Sequence, residues 1–575
     1  MGGGLMQLVA YGAQDVYLTG NAQITLFKVV YRRHTNFSAE TIEIPIETAK
    51  PGGKVTVPIQ RSADLMSKSY HRASTPDLIP SNAGFNGKVA WVRRLGHALI
   101  KSAEVVIGGS TIDKHFGVWL DIWYELTHST GLERGYNALI GDVPELTTLV
   151  PASQGISGGV NVYTPFQFWF CRNYGLSLPL IALQYHDVRI NIEYESIGNL
   201  VVYTAGDGND HAPRFNNISF GSSGILIDYI YLDSEERRRF AQVGHEYLIE
   251  QLQVSETNLQ NNSESQHFTL NFNHPCKELI WAHRLGCFNG ANGSTFLAYT
   301  NDDKWEDAIQ AAAESLARSM IITNSDETPS GATTTTVSGS NDTDIIFNST
   351  CAVRGATLRF VVVDGPGENN TPQVTIITNA LMCGSVNLAS KLGTVSYDLH
   401  YSGTSLTSVD VSVSGHSLTL DDLSIPLQSM GDHRVNAGKV NDVAIVQLNN
   451  YGLRLDGKGN CVTEGLLSLN GHDRFDKQTG AYFNYLQPDA HHSRTPADGI
   501  NVYSFGLHPE QHQPTGTCNM SRIDSAKLVY KVRDILAASR SASFDIYTGT
   551  VVYIFVVNYN ILRLMAGMAG VAYSN

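Results

Sequence analysis

The chain has 575 residues, a net charge of −14 and only 16% charged residues. That length exceeds the ~250–300 residues at which single cores stop growing, so two or more domains are expected. With 42% hydrophobic residues a disordered chain is excluded, and the acidic balance excludes a generic nucleic-acid binder. The charge is uneven: residues 1–100 hold 11 Lys and Arg against 6 Asp and Glu. A basic N-terminal part facing an acidic partner is one reading, and chance clustering on a solvated surface is the other.

The start, MGGGLMQLVAYGAQD, lacks the basic n-region and apolar core of a secretory signal. Met6 stands where a myristoylation motif needs Ser or Thr. In ITLFKVVYRRH (24–34), β-branched and aromatic residues predict a first strand, followed by the basic cluster Arg32, Arg33 and His34. TIEIPIET (41–48) and KVTVPIQ (54–60) alternate with period two and read as half-buried strands around a KPGGK turn. Residues 98–113 read as strand, Gly-Gly turn and strand. Helical spacing of Val118, Trp119, Ile122, Trp123 and Leu126 predicts a helix with one apolar face. FQFWFCRNYGLSLPLIALQYHDVRINIEYE (166–195) reads as two strands around a Gly/Pro corner, and GILIDYIYLD (224–233) as another.

DSEERRRFAQ (233–242) breaks the β pattern. Asp233 and Glu236 are spaced as a capping box, and a short charged helix here suits a linker. Strands resume over 245–253 and 265–284, a helix is predicted over 304–322, and residues 290–430 read as a projecting insertion. Residues 440 onward return to strands. The run VVYIFVVNYNILRLMAGMAGVAY (551–573) is broken by Asn558, Asn560 and Arg563, so it reads as a buried strand rather than a membrane span. NYGLSLP (173–179) and SFGLHP (504–509) resemble each other, a hint that one β-sandwich occurs twice.

Motifs for chemistry are scarce. Seven cysteines, an odd number without C-x-x-C, argue against a disulfide framework and for a reducing compartment. His472, Asp473, Asp476, Asp489, His491, His492, His508 and His512 crowd one region. His508 and His512 have the spacing of a helical metal pair, but Pro509 and Pro514 oppose a helix and no Glu completes H-E-x-x-H. Side-chain hydrogen bonding in loops is the simpler reading. GDGNDHAP (206–213) fails as a calcium loop, because position 12 falls on Ile218. Neither a P-loop nor a nucleophile elbow occurs. No catalytic, cofactor-binding or metal residue is assigned.

Four long co-linear segments carry a resemblance: LVAYGAQDVYLTGNAQITLFKVVYRRHTNF, FWFCRNYGLSLPLIALQYHDVRI, DYIYLDSEERRRFAQVGHEYLIEQLQ and GINVYSFGLHPEQHQPTGTCNMSRID. Together they resemble the major capsid proteins of nucleocytoplasmic large DNA viruses. The resemblance implies an all-β chain of two consecutive eight-stranded antiparallel jelly rolls, with long loop insertions and a few short helices. The domains would be an N-terminal arm (1–24), a first jelly roll (25–232), a charged helical linker (233–244) and a second jelly roll (245–575) that carries the 290–430 insertion. It implies a structural protein, not an enzyme. Homotrimers would form pseudo-hexagonal capsomers that contact neighbouring capsomers and tile an icosahedral shell. Minor capsid proteins and inner membrane-associated proteins would lie beneath, and no direct sequence-specific nucleic-acid binding is expected.

Assembly would occur in host cytoplasm and the protein would reside in the virion. Arg32, Arg33 and His34 are candidate assembly contacts, with local ion pairs as the alternative. Asn292, Asn341 and Asn348 head Asn-x-Ser/Thr sites in the projecting insertion, which the resemblance places in an outward tower, and are candidate glycan sites. Two other readings remain open from the residues alone: a carbohydrate-binding β-sandwich attachment protein, and a cupin-like metalloenzyme built on the 472–512 cluster.

Overall fold

The computed structural model describes residues 21–47, 49–82, 85–147, 150–204, 212–216, 218–260, 263–286, 296–300, 459–533 and 549–573. It also describes a few isolated positions before residue 21 and the backbone of nine strands between Thr350 and Gln447. Eight strands form the two main sheets of the first half, beside shorter ones: β1 (Phe37–Ile46), β2 (Lys54–Pro58), β3 (Leu65–Ser74), β4 (Ile100–Ile107), β5 (Ser110–Phe116), β6 (Asn161–Pro165), β7 (Val188–Tyr194) and β8 (Gly221–Leu232). Eight likewise form the main sheets of the second, again beside shorter ones: β9 (His245–Asn258), β10 (Ser265–Thr269), β11 (Pro275–Arg284), β12 (Val462–Leu469), β13 (His472–Asp473), β14 (Ile500–Ser504), β15 (Ala526–Val532) and β16 (Val551–Met565).

The sheet orders identify the architecture. The first half forms β1-β8-β3-β6 and β2-β7-β4-β5; the second forms β9-β16-β11-β14 and β10-β15-β12-β13. In each half the first, last, third and sixth strands share one sheet, and the second, seventh, fourth and fifth share the other. All these pairings are antiparallel. That is the jelly-roll order, twice over.

Local chemistry explains the elements. Gly108 and Gly109, with φ of 58° and 85°, make the tight turn between β4 and β5. Between β5 and β6 lie helices α1 (Gly117–Thr127) and α2 (Glu133–Leu139). Gly117 starts α1 against backbone: a Cβ there would run into the carbonyl oxygens of Ile100 and His97. The predicted apolar face of α1 is real, but the helix is buried from Gly117 to Leu126, and Asp121 and Glu125 are buried with it. Asp233 caps α3 (Ser234–Gln242) by accepting from Ser234 N at 2.8 Å. Glu236, the other half of the expected capping box, has its Oε2 without a partner among the described residues.

The long apolar run of β16 follows from its place. Val552, Ile554 and Val556 face β10, β12 and β15 in the core of the second sandwich. Tyr553, Phe555 and Val557 belong to a core that continues into the first half. β11 divides the same way, with Leu279 and Trp281 on one side and Ile280 and Ala282 on the other. β16 and the middle of β11 are buried on both faces, so their runs are continuously apolar rather than alternating. No helix among the described residues is long and apolar enough to cross a membrane.

Each sandwich also has a polar pin. His71 of β3 is hydrogen-bonded through Nε2 to Tyr194 of β7 at 3.0 Å, and His283 of β11 to Tyr530 of β15 at 2.7 Å. Each pair joins a third strand to a seventh, across the two sheets. Burial lowers both histidines to about 4, so the rings are neutral.

Two expected strands are absent. Residues 24–36 form no strand, and β1 starts at Phe37. β-propensity needs a neighbouring strand to pair with, and none among the described residues runs beside this segment. Within 166–195 the first half is a helical turn, Trp169–Arg172, and only β7 is a full strand. Phe166, Phe168 and Phe170 stack into the core from this turn, so their aromatic content reports burial rather than extension. The helix predicted over 304–322 lies outside the described residues. So does the expected 290–430 insertion, which falls between β11 and β12, except for residues 296–300 and backbone strands that pair into small sheets.

Candidate assembly surfaces

The two sandwiches meet along α1, which carries a buried ionic network. Arg94 donates from Nη1 to Asp121 Oδ1 at 2.8 Å and from Nη2 to Glu125. Arg494, from the second half, donates from Nη2 to Glu133 Oε1 at 3.0 Å, and Ala497 N donates to Glu125 Oε2 at 3.2 Å. The Tyr124 ring lies between the two guanidiniums, 4.9 Å from Arg94 and 5.2 Å from Arg494. Burial works to raise the Asp121 carboxyl, yet Arg94 and the His97 hydrogen bond hold it at about 2. Burial likewise opposes Glu125, and Arg94 and Arg494 outweigh it. Beside this network Trp119 packs on Phe555, ring centroids 5.3 Å apart.

A second node ties the halves at Glu250 of β9. It accepts from Arg172 Nη1 at 2.8 Å and from Lys277 Nζ at 2.7 Å, and His512 Nδ1 lies 3.8 Å away. Arg172 comes from the first half and stacks 4.2 Å over the Trp123 ring. Burial would raise Glu250, but His512, Arg172 and Lys277 bring it down to about 2. A backbone donor continues the seam: Leu252 N donates to Asp113 Oδ1 at 3.0 Å. Buried ionic pairs and a shared apolar core thus join the two sandwiches.

The His/Asp-rich region serves the second sandwich. His492 Nε2 stands 3.0 Å from Glu278 Oε2 and Nδ1 3.2 Å from Glu510 Oε1. Glu510 also accepts from Ser493 N at 2.7 Å. Burial favours a neutral ring, but Glu278 and Glu510 raise His492 to about 9, so it is an imidazolium. Among the described residues no group of three or more His, Cys, Asp or Glu is placed to hold a metal.

The outer surface near the chain start is different. Ile24, Leu26, Phe27, Val29, Val30 and Tyr31 are exposed, Phe27 at 99%. Arg32, Arg33 and His34 follow in the same unpaired segment, ahead of β1 and not after a strand. His34 Nδ1 is 2.8 Å from the Thr35 carbonyl. Thr35 lines a cleft of about 530 Å³ whose other walls are Gly175, Glu235, Glu236, Arg239, Phe240, His245, Glu246 and Tyr247. Nothing in the sequence pointed to this cleft, because its walls come from four separate stretches. Asn292, Asn341 and Asn348 lie outside the described residues.

Comparison with known proteins decides the identity. Residues 25–233 match the family described as major capsid protein N-terminus, and residues 236–361 and 367–570 match large eukaryotic DNA virus major capsid protein. The chain belongs to the major capsid proteins of large eukaryotic DNA viruses. It is 38% identical to capsid protein 1 of Acanthamoeba polyphaga mimivirus and 37% identical to the major capsid protein of Phaeocystis pouchetii virus, with the whole of each chain covered. Identity to the Paramecium bursaria Chlorella virus 1 major capsid protein is 31%, again over both full chains.

In structure, the fold matches the quasi-atomic capsid of that chlorella virus with a TM-score of 0.56 at 24% identity, covering 96% of this chain and 100% of the other. The Faustovirus major capsid protein matches with a TM-score of 0.55 at 12% identity, covering 96% and 94%. The capsid protein is thus a structural component of a virion, built as a double jelly roll. The carbohydrate-binding alternative finds no support in these relatives.

Proposed function

We propose that this capsid protein trimerises into pseudo-hexagonal capsomers that tile an icosahedral shell. One observation carries the proposal: the two jelly rolls of one chain have identical strand order and are locked side by side by buried ionic nodes. Three such pairs supply six similar units around a threefold axis, and cyclic symmetry closes the ring through heterologous contacts. Each interface would belong to the obligate class, above about 2,000 Å².

Neighbouring capsomers are the lateral partners. Minor capsid proteins and inner membrane-associated proteins lie beneath, and nucleic acid is not contacted sequence-specifically. The role is structural and not enzymatic. Assembly takes place in host cytoplasm, in keeping with seven scattered cysteines. The proposed domains are an N-terminal arm (1–24), a first jelly roll (25–232), a charged helical linker (233–244) and a second jelly roll (245–575) that carries the 290–430 insertion. Arg32, Arg33 and His34 act as assembly contacts, and Asn292, Asn341 and Asn348 as glycan acceptors in the tower.

Light scattering tests the proposal. A trimer of the 62.8 kDa chain weighs about 188 kDa, and that mass is expected to persist on dilution. A clean monomer over a wide concentration range would overturn the capsomer.

A further inference from the structure

Cys276 and Cys518 stand directly opposite each other on paired antiparallel strands. Cys276 is the second residue of β11, and Cys518 opens the two-residue strand Cys518–Asn519 that pairs with it, Pro275 lying opposite Asn519. Opposed residues of an antiparallel pair point to the same face, with Cα atoms about 4.5–5.5 Å apart. That separation falls inside the ~4.4–6.8 Å range in which a disulfide closes without backbone movement. Met520 N donates to the His274 carbonyl at 3.0 Å and Phe505 N to the Lys277 carbonyl at 2.8 Å, so backbone bonds hold the register on both sides of Cys276. Both thiols are free. Cys276 Sγ donates to the His274 carbonyl at 3.4 Å, and rotation about its Cα–Cβ bond turns it towards the facing strand.

The first roll shows what packing alone places here. Its matching bridge sets Met66 of β3 opposite Leu178, both buried. The second roll has two sulfurs instead, Cys276 buried and Cys518 half-buried. Between them run residues 277–517, which include the long insertion between β11 and β12. A bond at this place closes that stretch at its base, and a link across so long a loop removes much freedom from the unfolded chain.

We infer that Cys276 and Cys518 form a redox-responsive pair, reduced during synthesis and closed into an intrachain disulfide by a low-molecular-weight disulfide in an oxidising medium. Cys518, the more exposed, reacts first. Its thiolate attacks one sulfur of the small disulfide, displaces one small thiolate and leaves a mixed disulfide. The Cys276 thiolate then attacks the Cys518 sulfur and displaces the second. The protons of the two protein thiols end on the two released small thiols. The small disulfide gains two electrons and the protein pair loses two. Burial raises both thiols, with Arg474 opposing it at Cys518, so closure is slow and a medium rich in reduced thiols keeps the pair open. A virion leaves such a medium when it leaves the cell. The bond lies within one chain, so it goes beyond the capsomer proposal and does not depend on it.

The test uses the full-length protein, purified under reductant and then held with oxidised glutathione or with fresh reductant. Non-reduced digests are read by mass spectrometry. A peptide pair joining Cys276 to Cys518 is expected, together with a melting temperature about 5 °C above that of the reduced protein. Cys518→Ser should melt at one temperature under both conditions. Cys276→Ala should retain glutathione on Cys518, because no second thiol is left to displace it. Wild-type protein that stops at that adduct, or gives neither adduct nor link, overturns the pair. So does a bond from either cysteine to any other cysteine or to a second chain. A linked peptide with an unchanged melting temperature overturns the closure of the loop as a stabilising device. Oxidised protein that carries the bond yet scatters as a 62.8 kDa monomer supports the pair and overturns the capsomer alone.

Discussion

His71 Nε2 and Tyr194 Oη stand 3.0 Å apart in the interior of the first jelly roll, joining its two sheets. The second roll repeats the pair with His283 and Tyr530. In both, the ring Nδ1 has no partner among the described residues, and burial lowers the histidine from 6.5 to about 4. Unfolding therefore takes up protons as pH falls from 6.5 towards 4, and stability is greatest above that window and lost within it. Denaturant unfolding followed from pH 7 to pH 4 is expected to show this slope. His71→Gln combined with His283→Gln should flatten it, and an unchanged slope would refute the assignment.

Arg494 is the cation that the second half lends to α1 and α2. Arg494→Met leaves Glu133 and Glu125 buried with less compensation, and removing one partner of a buried pair costs about 3–5 kcal/mol. We expect a loss of that order in urea unfolding, with earlier proteolysis between the rolls. Arg494→Lys should recover little, because the planar fork that reaches Glu133 while stacking on Tyr124 is lost. A loss below about 1 kcal/mol would mean that the network is solvated and ordinary.

Glu250 titrates in a lower window. Its folded value of about 2 lies below the ordinary 4.5, so its contribution is present above pH 4.5 and disappears as pH falls through 2. At neutral pH that shift corresponds to stabilisation on the order of 3 kcal/mol. Glu250→Gln should lower stability at pH 7 by a comparable amount and weaken the acid dependence between pH 4.5 and 2. Equal stability of the two proteins at pH 7 would count against the node.

The His492 imidazolium works in the opposite direction. Its value rises from 6.5 to about 9 through Glu278 and Glu510, so its stabilisation is complete below pH 6.5 and is lost as pH climbs through 9. Thermal unfolding between pH 6 and pH 10 should show an alkaline decline that His492→Gln lacks. The variant should also unfold at lower temperature at pH 6, with Glu278 left buried and unpaired.

Much of this fold was legible before the structure. Period-two alternation located β1 and β2, and a Gly-Gly turn between two apolar runs located β4 and β5. The GL corners at 173–179 and 504–509 do occupy the same place in each roll, between the sixth and seventh strands. Each is followed by a two-residue bridge to a third strand and a 3-10 turn, Leu178–Pro179 with Leu180–Ala182 and Cys518–Asn519 with Met520–Arg522.

The misses have physical causes. Residues 24–31 carry the composition of a strand, but pairing is a property of two segments, and no described second segment lies beside them. The seam was invisible because Arg494 and Glu133, or Arg172 and Glu250, are ordinary charged residues until folding buries them together. His492 belonged to a cluster noticed for its density, yet its partner Glu278 lies on a strand more than 200 residues earlier.

β16 lies between β9 and β11, pairing Leu564 with His245 and Phe555 with Ile280. A polypeptide emerging from the ribosome can complete its first roll when β8 appears. The second must hold β9 and β11, with their apolar faces bare, through the entire synthesis of the insertion. Only the last stretch of translation delivers the strand that zips them together. Sequence separation on that scale slows folding and prolongs exposure to wrong partners. An infected cell making this protein in bulk therefore faces its greatest aggregation hazard in nascent chains halted between Arg284 and Val551, and chaperone demand should be concentrated there.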